Sequence, residues 1–100
     1  MQEKFTFKYF QPSYKLITES QLTLTAMMDL APSDSSCQAI MIKEGEEYSA
    51  KVEIKSTDRS FIVRIDSLDP FICLREVKAR LIDQFRSWRI GNNIEELTII

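Results

Sequence analysis

Thr18-Glu19-Ser20-Gln21-Leu22-Thr23-Leu24-Thr25-Ala26-Met27-Met28-Asp29-Leu30-Ala31 is the stretch on which the fold turns. Leu22, Leu24, Ala26, Met28 and Leu30 alternate strictly, and Thr23 and Thr25 between them suit a strand. The same residues also fit a helix. Thr18 with Gln21 three places on has the form of a capping box, and Leu22, Ala26 and Leu30 recur at i, i+4 and i+8. Pro32 stops a helix at Ala31 in either case. Local pattern alone leaves the two readings level.

The flanks are clearer. Lys4 to Phe10 alternate apolar and polar, with Phe5, Phe7 and Tyr9 on one face, which predicts a half-buried strand ended by Pro12 and Ser13. Pro32 to Ser36 is a loop. Residues 37–43, 48–55 and 60–66 read as three short strands, joined by turns at Glu44-Gly45-Glu46-Glu47 and Ser56-Thr57-Asp58-Arg59. Strands this close in sequence predict an antiparallel meander.

Asp69-Pro70 marks a helix start, an acidic cap followed by proline at the first helical position. The helix is predicted over residues 70–90. Leu74, Val77, Leu81, Phe85 and Trp88 form its apolar stripe, Phe71 and Ile82 widen it, and Gly91 is its expected stop. The elements predict an α+β domain over residues 1–91, a mostly antiparallel sheet covered on one face by the long last helix. Residues 92–100 are expected to form an apolar C-terminal tail, with Ile94 to Ile100 docking back or meeting a partner.

Composition narrows the function. The chain has 100 residues, 44% hydrophobic and 28% charged, sufficient for one folded domain. It has no histidine, which removes imidazole acid–base chemistry, histidine-assisted nucleophiles and histidine-bound zinc. Cys37 and Cys73 are too few for a disulfide framework and read as free thiols. The start lacks an apolar signal core, and no run approaches a membrane span. The expected setting is the cytoplasm, with no membrane partner.

Gly-rich phosphate loops, Cys-x-x-Cys and nucleophile elbows are missing, and neither cofactor nor metal is expected. The acidic Glu44-Glu46-Glu47 turn lacks calcium-loop spacing and reads as a solvated turn. Asp66 and Asp69 are the only close carboxylate pair ahead of an apolar helix. Asp69 is already assigned as a cap, so no catalytic role is expected. Phe71, Phe85 and Trp88 could stack on bases, but their helical spacing assigns them to the core. The protein is therefore not expected to be an enzyme.

Charge is unevenly spread. The formal total is −2, yet residues 70–90 hold five basic residues against two acidic ones, and the rest of the chain holds eight against thirteen. At about 100° per residue, Arg75, Lys78, Arg86 and Arg89 project from one flank of the apolar stripe and Arg80 from the other side. Such a flank either meets phosphates or is a solvated helix edge whose stems cover the core rim.

From about Cys37 to Arg89 the chain resembles the ribosome hibernation factors, the sigma modulation family. The resemblance rests on the two-turn meander followed by Asp69-Pro70-Phe71, Leu74, Leu81, Gln84, Phe85, Arg86 and Arg89, in that order and without a gap. It implies a β-α-β-β-β-α fold and hence a helix at residues 18–31. It also implies a factor that binds the small ribosomal subunit at the decoding region and blocks translation in stationary phase. Arg80, Arg86 and Arg89 are the residues it carries over best. With Arg75 and Lys78 they form the expected RNA-binding set, Arg75, Lys78, Arg80, Arg86 and Arg89. The family's first helix is rich in Lys and Arg, whereas residues 18–31 contain neither, and Lys78 stands where the family has an apolar residue. The alternative reading is a protein-interaction or self-associating module of the same fold, a homodimer or a protein partner joined through the tail or a sheet edge.

Overall fold

The computed structural model describes residues 3–99, with side chains as far as Ile90. The element order is β1 (Phe5–Lys8), α1 (Tyr14–Leu30), β2 (Ser36–Glu44), β3 (Glu47–Lys55), β4 (Ser60–Ser67) and α2 (Pro70–Ile99). This is the β-α-β-β-β-α order, with residues 18–30 helical as the resemblance implied and Ala31 the extended C-cap.

The four strands form one sheet in the order β1-β2-β3-β4. β1 pairs parallel to β2, with Phe5 opposite Ala39, so the connection between them must cross over, and α1 is that crossover. β2–β3 and β3–β4 are antiparallel. Glu44 and Glu47 are paired across a two-residue turn, and Gly45 takes φ +62, a left-handed value that glycine adopts at no steric cost.

Three expectations need correction. Tyr9 does not share the buried face of Phe5. It has φ +69 and is 81% exposed, so β1 ends at Lys8 and the chain turns outward. The start of α1 is not the Thr18–Gln21 capping box. Ser13 is the cap, accepting the Leu16 N–H on Oγ at 3.1 Å, one turn earlier. Thr18 instead donates to the Tyr14 carbonyl, and Gln21 Nε2 donates to the Glu3 carbonyl beside β1. Gly91 does not end α2, whose backbone stays helical to Ile99. A single glycine costs a helix only about 1 kcal/mol relative to alanine, which does not by itself force a stop. The backbone of residues 92–99 is helical. The expected docking of Ile94 to Ile100 concerns side chains outside the described residues.

Both helices lie on one face of the sheet, and the core fills the space between. Leu16, Leu24 and Met27 of α1 meet Cys73, Leu74, Val77, Leu81 and Phe85 of α2 over Phe5, Ala39, Met41, Ala50, Val52, Ile54, Phe61 and Val63. Phe61 is the aromatic centre, edge-on to Phe85 at 4.9 Å and to Trp88 at 6.3 Å. Among the described residues no helix is long and apolar enough to cross a membrane.

The loop after α1 is tied to the β3–β4 turn. Asp34 accepts the Thr57 hydroxyl and, at 2.7 Å, the Thr57 N–H. These bonds, the hydroxyl first, hold the Asp34 carboxyl below its usual range. A lowered carboxylate pKa adds stability above the unfolded value and loses it as pH falls through the folded one. Asp34→Asn is expected to flatten the fall in melting temperature below about pH 4, and an unchanged acid limb in a thermal-melt series would count against the tie.

Candidate nucleic-acid interface

α2 is positioned by its own start. Asp69 Oδ1 accepts the Phe71 N–H at 2.8 Å, and the Asp69 carbonyl accepts the Cys73 N–H at 3.2 Å, with Pro70 at the first helical position where a missing N–H costs nothing. With Cys73, Leu74, Val77, Leu81 and Phe85 fixed inward, the helical period turns residues 75, 78, 79, 82 and 86 outward.

There Arg75, Lys78 and Arg86 converge on a shallow groove with Ala79, Ile82 and Asp83. Arg75 Nη2 lies 3.8 Å from Glu76 Oε1, an exposed pair of little energetic consequence. Lys78 and Arg86 have no ion-pair partner among the described residues. Three cations facing solvent on one rigid helix can take up phosphate oxygens.

The other two expected members are placed differently. Arg80 is exposed but does not line this groove. Arg89 donates from Nη2 to the Leu30 carbonyl at 2.7 Å, so its guanidinium closes the C-terminal end of α1, where the helix dipole favours a cation. The sequence spacing puts Arg89 on the correct flank but cannot reveal this bond, because it depends on where α1 ends. Gln84, singled out only by the resemblance, donates from Nε2 to the Ile62 carbonyl of edge strand β4 at 3.3 Å.

The remaining candidates are occupied by structural roles. Asp66 and Asp69 do not act as a pair, because Asp66 engages Arg64 Nε at 3.3 Å while Asp69 caps α2. The Ser49 hydroxyl and Arg64 hold the Asp66 carboxyl below its usual range. Phe71 and Trp88 pack against the core, which Phe85 belongs to outright. Among the described residues no group of three or more Cys, Asp or Glu side chains is arranged to hold a metal.

Cys37 and Cys73 are free thiols, half-buried and buried respectively. Burial pushes each up to about 11, so neither is a thiolate at neutral pH. The unfolded chain loses these protons near 9, so both thiols favour unfolding as pH rises from about 9 to 11. In the native protein at pH 8, iodoacetamide is expected to leave Cys73 unmodified until urea unfolds the chain. Prompt native-state labelling of Cys73, read by mass spectrometry, would contradict its burial.

No family model matches the chain, and no curated protein matches it by sequence. Solved structures do. The chain is similar to the N-terminal domain of Thermus thermophilus protein Y, with a TM-score of 0.72 and 10% identity over 85% of this chain and 94% of that one. It is similar to a ribosomal subunit interface protein from Coxiella burnetii, with a TM-score of 0.70 and 13% identity over 87% of this chain and 96% of that one. At such identities the likeness is one of fold, and it agrees with the β-α-β-β-β-α arrangement that the resemblance implied.

Proposed function

We propose that this protein is a ribosome-associated factor that acts by binding, not by catalysis, and that it lays the outer face of α2 against RNA of the small subunit and so obstructs translation. The observation that carries the reading is the convergence of Arg75, Lys78 and Arg86 on that face, in a fold shared with a ribosomal subunit interface protein. The whole chain is slightly acidic, so binding depends on this local concentration of cations and on the release of counterions from phosphates.

Co-sedimentation with small ribosomal subunits across a salt series tests it. Each phosphate neutralised contributes about −0.7 to −0.9 to the slope of log affinity against log salt, so three contacts predict a slope near −2 to −3. A salt-independent association would point to a protein contact instead. Failure to sediment at low salt would overturn the reading. In a cell-free translation reaction, added protein is expected to lower yield in proportion to the fraction of subunits it occupies.

A second reading has its own observation. Beside the outer edge of β1, Phe5 and Phe7 face Tyr14, Ile17 and Leu22 of α1 across an apolar groove, and the last three are 85%, 45% and 60% exposed. An extended peptide adding a strand to β1 would cover them. Ile17→Glu is then expected to change the mass seen by light scattering, or to abolish capture of that peptide, while RNA binding persists.

A further inference from the structure

The sheet face opposite the helices carries a second set of cations. Register places Thr6, Ile40, Lys51 and Arg64 in one row across the four strands, and Lys8, Ile42, Ser49 and Asp66 in the next. Lys51 and Arg64 are therefore direct cross-strand neighbours, and like charges in that position repel. The sheet does not neutralise them evenly. Arg64 uses Nε on Ser49 Oγ at 3.1 Å and on Asp66 Oδ1 at 3.3 Å, and its terminal nitrogens have no partner among the described residues. Glu53 pairs with Lys55 at 3.8 Å. Lys51 and Lys8 have no ion-pair partner among the described residues. Beside the repelling pair, Ile40 and Ile42 remain half-exposed, and these four side chains with Ser49 and Glu44 line a small depression.

The same face also carries Glu53, Asp66 and, at the end of β2, Glu44, against Lys8, Lys51, Lys55 and Arg64. Glu3, Asp34, Glu46, Glu47, Asp58 and Asp69 sit in loops and turns or at the ends of strands, around the rim of the sheet. Cations outnumber carboxylates on the outer side of α2 and, by a narrow margin, on the open sheet, where Lys8, Lys51 and the terminal nitrogens of Arg64 are the positive groups left without a partner among the described residues.

We infer that the open sheet face is a second RNA contact, with Lys51 and Arg64 gripping one phosphate between them and Ile40 and Ile42 lying against the adjoining sugar. The inference rests on the RNA-binding reading and extends it. With cations on opposite sides, the domain is wedged between two RNA segments rather than laid on one. A phosphate placed between Lys51 and Arg64 turns their repulsion into a shared attraction, and the apolar neighbours lower the local dielectric around it.

The test uses anisotropy with a short fluorescein-labelled oligouridylate, and energy transfer between donor- and acceptor-labelled copies of the same oligomer at limiting protein. Lys51→Glu is the informative variant, because it puts opposite charges at one register position and so removes the anion site while favouring the fold. Its melting temperature is expected to hold or rise, its affinity to fall several-fold with a salt slope shallower by about 1, and the energy transfer seen with the unsubstituted protein to vanish. Unchanged affinity and transfer in Lys51→Glu, with binding lost in Arg75→Glu/Arg86→Glu, would overturn the sheet contact and leave the helix reading standing. The reverse pattern would establish the sheet contact and remove the helix one. Silence of the unsubstituted protein at low salt would overturn both. Displacement of the oligomer by polyglutamate at equal charge concentration would overturn RNA as the occupant.

Discussion

Phe85→Ala is expected to lower the stability of the domain by about 3–5 kcal/mol, a large share of the roughly 5–15 kcal/mol that holds a small domain folded. Phe85 is 1% exposed, and its ring stands edge-on to Phe61 at 4.9 Å, with Trp88 also edge-on to Phe61 at 6.3 Å. Truncation removes the buried ring, leaves a cavity between α2 and β4, and forfeits an aromatic pair worth about 0.5–1.5 kcal/mol beyond its area. The walls of that cavity are a helix and a sheet joined by other contacts, so they cannot close on it fully. Urea denaturation read by the fluorescence of Trp88 measures the effect directly, because the single tryptophan sits against the same cluster. Phe85→Leu, which keeps most of the volume, is expected to cost markedly less. A loss below about 1 kcal/mol for the alanine variant would mean that α2 is not packed on β4 as described.

That helix was legible before the structure because its signals agree. A cap, a proline and a stripe at helical spacing all mark the same start and the same inward face, and Leu74, Val77, Leu81 and Phe85 are indeed buried. The meander was legible for a similar reason, since inward residues such as Val52 and Ile54 alternate with charged ones on strands bounded by polar turns. α1 was not legible from local pattern. Its buried stripe is Leu16, Ser20, Leu24 and Met27, and the polar member hides the period. Ser20 satisfies its hydroxyl on the Ile17 carbonyl at 2.7 Å and so tolerates the core. Leu22, which both local readings placed inside, is 60% exposed. An apolar residue outside and a polar one inside generate the false alternation, and only the likeness to a known fold resolved it. The sheet-face cations are not legible in the sequence, because Lys51 and Arg64 are thirteen residues apart and become neighbours only through the β3–β4 register.

The five expected RNA-binding residues should separate into two kinds when substituted. Arg75→Glu/Arg86→Glu is expected to weaken co-sedimentation with small subunits by more than about tenfold at low salt and to make its salt slope shallower by about 2, because two phosphate contacts are lost and two repulsions gained. Both side chains lie on the solvent side of α2, so the melting temperature should barely move. Arg89→Gln is expected to do the opposite. It loses the charged donor that meets the Leu30 carbonyl, so it should cost stability by about 1 kcal/mol and leave the salt slope unchanged. The spacing of basic residues along α2 treats Arg86 and Arg89 as equivalent, and the difference between them arises from the arrival of the α1 C-terminus within reach of one and not the other. If Arg89→Gln instead removed ribosome binding at unchanged stability, the guanidinium would have to leave Leu30 to reach RNA. The contact between the two helices would then be a latch that binding opens. If neither variant altered sedimentation, α2 would not be the face presented to the ribosome, whatever fold it belongs to.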